Sequence, residues 1–289
     1  MRDLDYYLRL NSKSADKNTY LSLIQRDISG GRIKRQDIDI LREFPNVTEI
    51  SISGLTQDTF DYFIENYGYQ FQAIIFWKCP LVGDLKLLES LEHVEYIVYF
   101  WNQKAEKLWD LSKTKSLKGL SYDDFTRMPD ISQISKSLSL EELHFGDKIW
   151  SKYVLNTLHP IRECSFLKRL SFSAKKIIDG KIEPIAYLIK LERLSFPTRL
   201  FTTEQVAWLK AHLPDTVTSK ELNAYWTLER PLITNGKARD TFIVGKRKPL
   251  LDSVQDKEWI KKYVDQFDET YQWYLENRAA SPEDYKKAE

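Results

Sequence analysis

Between Ile182 and Phe196 apolar side chains fall at every third position, Ile182, Ile185, Leu188, Leu191 and Leu194, and the step then drops to two at Phe196. An α-helix mixes steps of three and four, and a half-buried strand alternates every second residue, so neither alone accounts for the stretch. Steps of three followed by an L-x-L pair predict a turn-rich segment feeding one short strand. The pair recurs at Ile50/Ile52, Ile74/Phe76, Ile97/Tyr99, Leu120/Tyr122, Leu143/Phe145, Leu170/Phe172 and Leu194/Phe196. Successive first positions are 24, 23, 23, 23, 27 and 24 residues apart. Steps of three recur upstream, as in Leu85, Leu88, Leu91, Val94, Ile97 and in Ile161, Cys164, Leu167, Leu170. A period of this length predicts a solenoid in which each unit packs only on its neighbours.

The fullest unit is F-Q-A-I-I-F-W-K-C-P-L, Phe71 to Leu81, which fits L-x-x-L-x-L-x-x-C-x-L at every specified position. Over roughly residues 44–217 the chain resembles the leucine-rich-repeat family. The resemblance implies an α/β fold, a right-handed solenoid with its parallel sheet on the concave face, and protein binding as the commonest use. One position departs from the family. Asn102 and Cys79 fill the asparagine site as the family would, but Leu55, Phe125, Lys148, Lys175 and Arg199 do not. The departure bears on the regularity of the curvature rather than on the fold.

The rest of the chain divides around the repeats: residues 1–43 as an N-terminal cap, 44–219 as the solenoid, and 220–289 as a C-terminal cap. Tyr20, Leu21, Leu23, Ile24 and Ile28 predict one face of a short helix ending at Gly30-Gly31, and Ile33, Ile38, Ile40 and Leu41 lead into the first repeat. Phe60, Phe63, Ile64 and Tyr67 have true helical spacing, whereas Leu85/Leu88/Leu91 and Met128/Ile131/Ile134 suit tight turns of three residues. The longest unit has room for an extra helix through Trp150, Val154, Leu155 and Leu158, ending before Pro160. A Thr-capped helix follows the seventh strand and stops at Pro214, with an eighth strand expected near Val217. Beyond Ser219, strands at Leu232–Thr234 and Thr241–Val244 flank Asn235-Gly236 across a gap longer than a two-residue turn. Asp256 to Asn277 reads as a helix with Trp259, Ile260, Tyr263, Val264, Phe267, Tyr271, Tyr274 and Leu275 on one face. Capping the last repeat is its expected role, and residues 279–289 are expected to fray.

If both L positions of each strand point inward, the residues beside and between them line the concave sheet, because side chains alternate faces. Two adjacent strands then expose Ile75, Trp77, Tyr96, Val98 and Phe100, with Trp101 next along. The following strands supply Asp123, Asp124, Glu142, His144 and Asp147, and the last two supply Arg169, Arg193 and serines. An apolar cluster rimmed by charge marks a protein-binding site. The candidate partner-binding set is Ile75, Trp77, Tyr96, Val98, Phe100, Trp101, Asp123, Asp124 and His144, and the expected partner is a protein or peptide. A terminal segment or a second copy covering the patch is the alternative, so the chain is expected to be a monomer or a homodimer.

Composition narrows the function classes. Apolar residues make up 42% and sustain a core, while 43 basic against 42 acidic residues give no general attraction to nucleic acid or anionic membrane. The basic run Lys246–Lys248 is too short for a nucleic-acid stripe. Two cysteines form no disulfide framework, and neither a leader-like apolar segment nor a membrane-length run is present, so a cytoplasmic protein is expected. None of the four histidines lies in a zinc-protease motif, and no nucleophile motif accompanies them. His144 with Asp123 and Asp147 is the one cluster with an acid–base look, suited to a hydrolase-like or metal site. It lacks oxyanion donors and a phosphate loop. The expectation is therefore a non-enzymatic recognition scaffold without a cofactor.

Overall fold

The computed structural model describes residues 2–10, 15–234 and 236–285. Eight parallel strands form the main sheet, in order β1 (Tyr20–Leu23), β2 (Glu49–Ser53), β3 (Ala73–Trp77), β4 (Tyr96–Asn102), β5 (Gly119–Phe125), β6 (Glu142–Gly146), β8 (Arg169–Ser173) and β10 (Arg193–Ser195). Two two-residue strands, β7 (Val154–Leu155) and β9 (Lys176–Ile177), pair with each other outside it. The register aligns Ile50, Ile74, Ile97, Leu120, Leu143, Leu170 and Leu194 as one continuous column, as the L-x-L reading requires. The second L positions form an aromatic column below the sheet. Tyr122, Phe145, Phe172 and Phe196 stack in succession with centroids 5.5, 5.7 and 6.0 Å apart. Rings stacked in this way bury large area and gain directional attraction as well.

The return segments differ as their spacings predict. Helix α3 (Gln57–Tyr67) follows β2 and buries Phe60, Phe63, Ile64 and Tyr67. The later returns are 3₁₀ turns at Lys86–Ser90, Ser132–Lys136, His159–Glu163 and Glu183–Tyr187. Three residues per turn put every third side chain on one face, which is why the leucine steps are three. Helix α4 (Thr203–His212) begins at Thr202, whose hydroxyl accepts from the Gln205 amide.

The ladder position that Asn102 fills works as a hub. Its amide donates to the carbonyls of Cys79 and Val82 and to the Tyr99 hydroxyl, while its oxygen accepts from the Lys104 and Ala105 amides. The side chain is fully buried. One side chain thereby satisfies backbone groups of two successive repeats, groups that burial alone would leave unpaired.

A left-handed residue stands just after or near the end of each of four consecutive strands: Gly54, Lys78, Trp101 and Asp124, with φ of 71°, 54°, 65° and 56°. Only the first is glycine, and there a Cβ would meet the Gly30 carbonyl oxygen at 2.3 Å. The other three hold side chains in a region that ordinarily costs about 1–2 kcal/mol each.

Several expectations are corrected. Tyr20–Leu23 is strand β1, pairing with Glu49–Ile52, not part of a helix. A four-residue segment with apolar residues at three positions is ambiguous in sequence, and the open edge of β2 supplies the hydrogen bonds that decide it. The extra helix of the long unit is absent; Val154 and Leu155 form β7, and Trp150 is exposed. Carboxylates hold that loop open: Asp124 accepts from the Lys148 and Ile149 amides, and Asp147 from the Lys152 and Tyr153 amides. The eighth strand reduces to a single bridge between Thr218 and Arg193. The hairpin strands are longer than expected, β11 (Tyr225–Thr234) and β12 (Lys237–Ile243). Asn235 itself lies outside the described residues. A third strand, β13 (Leu250–Leu251), completes that sheet.

Helix α5 (Lys257–Glu276) lies against α4 and puts Phe267 and Tyr274 into the main core. Trp259, on its expected apolar face, remains exposed. Tyr285 is buried, packing on Trp273 and Tyr274, and the Tyr274 hydroxyl donates to the Pro282 carbonyl at 2.7 Å. Residues 286–289 lie outside the described residues.

Candidate protein-recognition face

The concave face carries the expected columns, but the first helix divides them. Helix α1 (Leu4–Arg9) lies across the middle of the sheet, capped by Asp3, which accepts from the Tyr6 amide. Leu4 and Tyr7 form a separate apolar cluster with Ala73, Ile75, Tyr96 and Val98. The Tyr7 and Tyr96 rings lie 4.7 Å apart, and the Tyr96 hydroxyl donates to the Arg2 carbonyl at 3.1 Å. Ile75, Tyr96 and Val98 are therefore buried, covered by the chain's own segment.

Polar residues of the sheet anchor this helix at both sides. Arg2 and the Tyr7 hydroxyl donate to Glu49 Oε1 on β2. The Leu4 amide donates to Glu142 Oε2 at 3.2 Å. Arg169 donates to Asp3 at 2.6 Å and to Glu142 at 3.1 Å, and Arg193 lies 3.6 Å from Asp5. Burial raises the Glu142 carboxyl above its ordinary range even with Arg169 beside it. Burial also pushes the Tyr7 hydroxyl up to about 12. Sequence reasoning missed this arrangement, although Leu4, Tyr7 and Leu8 at helical spacing, flanked by Asp3 and Asp5, carried a signal.

Beyond α1 an aromatic group stays open. Trp77 is 41% exposed and stacks on Phe100 with centroids 4.6 Å apart and planes 26° from parallel. Lys78 Nζ lies 5.8 Å from the ring centroids of both Trp77 and Trp101 and donates to the Ile28 carbonyl. Trp101 is half-buried, and its Nε1 has no partner among the described residues.

The acidic group is arranged differently from its sequence appearance. Asp123 is buried, with Oδ1 3.0 Å from His144 Nε2 and Oδ2 2.6 Å from Lys148 Nζ. Burial alone would raise this carboxyl, but the bond to His144 and the Lys148 ammonium hold it below its ordinary value. Asp124 is also buried; burial raises it, against two amide hydrogen bonds. Asp147 serves the loop amides rather than His144. Among the described residues no cluster of three or more His, Cys, Asp or Glu side chains is placed to hold a metal ion. Both cysteines are buried thiols, pushed up to about 12 by burial.

On the other side of α1 the last strands floor a cleft of about 440 Å³, lined by Leu4, Leu8, His144, Arg169, Arg193, Ser195 and Glu221 among others. Glu221 is buried and takes hydrogen bonds from the Ser195 and Ser219 hydroxyls; burial raises its carboxyl above the ordinary range. Among the described residues no helix is long and apolar enough to cross a membrane.

No protein-family model matches the chain, and no curated protein sequence does. Among solved structures, it is similar to a leucine-rich-repeat protein of Leptospira interrogans, at 15% identity and a TM-score of 0.46, over 68% of this chain and 47% of that one. An internalin of Listeria monocytogenes matches at 16% identity and a TM-score of 0.45, over 68% of this chain and 51% of that one. Internalin C2 of the same organism matches at 16% identity and a TM-score of 0.39, over 63% and 72%. The chain thus spans about half the length of the first two. The column of seven aligned strand positions, the tight 3₁₀ returns and the asparagine hub at Asn102 give the chain a parallel-sheet solenoid fold of the leucine-rich-repeat type.

Proposed function

We propose that the protein is a non-enzymatic recognition scaffold that binds a protein or peptide through its concave face. The observation that carries this reading is the Trp77–Phe100 stack, a large aromatic surface left partly open on a rigid sheet while the neighbouring aromatics are covered. Aromatic anchors of this kind bury much area and lose few torsions, which is why they dominate interface hot spots. Trp77 and Trp101 meet the partner, with Phe100 as the backing that fixes the Trp77 ring. Asp123 and Asp124 act from beneath the surface, holding His144, Lys148 and the loop after β6 at the rim. Ile75, Tyr96 and Val98 join the contact where α1 leaves the sheet.

The His144–Asp123 pair supports a structural role better than a hydrolytic one. Asp123 already engages both a histidine and an ammonium, and Ser121, its hydroxyl neighbour, is fully buried. Affinity capture with the wild-type chain and with Trp77→Ala tests the reading. A partner retained by the first and lost by the second supports it. Capture that survives Trp77→Ala but is lost with His144→Ala would favour chemistry at His144 instead.

A further inference from the structure

Helix α1 sits on the sheet as a ligand does. Its apolar residues contribute nothing to the main core; Leu4 and Tyr7 pack only in their own cluster over Ala73, Ile75, Tyr96 and Val98. Its charges match the face residue by residue. The cation Arg2 meets Glu49 at one end, and the anions Asp3 and Asp5 meet Arg169 and Arg193 at the other. An apolar centre between Glu49 on one side and Arg169 and Arg193, with Glu142 beside them, on the other favours an amphipathic segment that carries both charges.

The fit of α1 is incomplete at one atom. Glu49 is 2% exposed, and Arg2 and Tyr7 both donate to its Oε1. Oε2 is buried without a partner among the described residues. A buried carboxylate oxygen without a donor is costly, and a guanidinium seated as a fork would satisfy both oxygens at once. Neither Arg2 nor Tyr7 reaches that second oxygen, so this end of the groove is left incompletely matched.

We infer that α1 is an internal stand-in, and that the groove's external partner is a short amphipathic helix with an arginine forked onto Glu49 and carboxylates facing Arg169 and Arg193. The inference rests on the reading of the concave face as a recognition surface and names the chemistry of what it recognises. Binding then requires α1 to leave, so α1 competes with the partner and lowers its apparent affinity.

The test uses the full chain and a labelled peptide with the sequence of Arg2 to Leu10, RDLDYYLRL. Leu4→Ser with Tyr7→Ser releases α1 by removing its apolar contacts, and Asp3→Lys with Asp5→Lys releases it by charge. The second variant keeps the test open if the first loses its fold, which circular dichroism reads. The peptide should bind either folded variant at least tenfold more tightly than wild type. Adding Glu49→Gln to the released chain should cost about tenfold, and a peptide with both aspartates changed to lysine should not bind. Equal binding to wild type and released chains overturns the inference, as does indifference to Glu49→Gln. Concentration-dependent dimerisation of the released chain without peptide binding assigns the groove to a second copy and overturns it too. Capture through Trp77 is read on the wild-type chain with α1 in place, so either result can fail while the other holds.

Discussion

Trp77 and Phe100 occupy the same position on adjacent strands, and their rings stack 4.6 Å apart, with Trp77 outermost. Trp77→Ala should therefore remove the partner-facing ring while leaving the buried Phe100 in place. A hot-spot aromatic typically costs about 2 kcal/mol or more, near thirtyfold in affinity, mostly as a faster off-rate. Surface plasmon resonance on the captured partner checks this. An off-rate unchanged by Trp77→Ala moves the interface elsewhere.

Leu194 and Ser195 are consecutive on β10 but face opposite sides, the first buried and the second exposed. Leu194→Asp should destabilise by about 3–5 kcal/mol, because it places an unpaired carboxylate between repeats. Ser195→Ala, which removes only the hydroxyl that donates to Glu221, should cost about 1 kcal/mol or less. Urea melts of the two variants separate these outcomes, and equal losses would contradict the register.

Asn102→Ala leaves the Lys104 and Ala105 amides and the Val82 carbonyl without their partner, while the Cys79 carbonyl keeps the Tyr99 hydroxyl. A loss of about 3 kcal/mol is expected, since each buried group left unpaired costs about 1–3 kcal/mol and water replaces only some. Asn102→Asp keeps the acceptor but loses the donors, so it should fall between wild type and alanine at low pH, where the carboxyl regains a proton. A thermal melt series across pH reads both.

The folded state holds Asp123 below its ordinary value of 3.8. Such a group stabilises the fold above its unfolded value and loses that contribution as pH falls through the folded value. Asp123→Asn should therefore lower the melting midpoint at neutral pH, and the gap to wild type should narrow as the pH falls below 3.8. A gap that persists unchanged into acid would assign the effect to packing rather than charge.

Glu221 has the opposite sign. Its carboxyl is raised above 4.5 by burial, so the ionised form weakens the fold at neutral pH and protonation relieves it. Glu221→Gln should raise the midpoint at neutral pH, with the advantage fading below its ordinary value. A variant less stable than wild type at neutral pH would mean that the Ser195 and Ser219 hydrogen bonds outweigh the burial cost.

Much of the candidate face was legible and part was not, and the division follows sequence distance. Trp77 and Phe100 could be placed side by side because strand alternation and a 23-residue step fix both neighbours. His144 and Asp123 met for the same reason. Glu49, Arg169 and Arg193 stood in the right columns, yet their role depended on a helix whose partners are 47 to 188 residues away. Periodicity carries no information about that docking.

The sequence by itself determined the repeat, its register, the core columns and the form of most returns, because these depend on periods of two and three that local geometry imposes on the chain. Tertiary structure decided the rest. The edge of β2 turned Tyr20–Leu23 into a strand, and the Asp124 and Asp147 carboxylates captured the amides of a loop that otherwise reads as helix. The left-handed exits at Lys78, Trp101 and Asp124 carry no residue signal, since the solenoid holds them there against local preference. The covering of Ile75, Tyr96 and Val98 by α1 was decided last, by complementary charges and a shared apolar centre that exist only once the sheet has assembled.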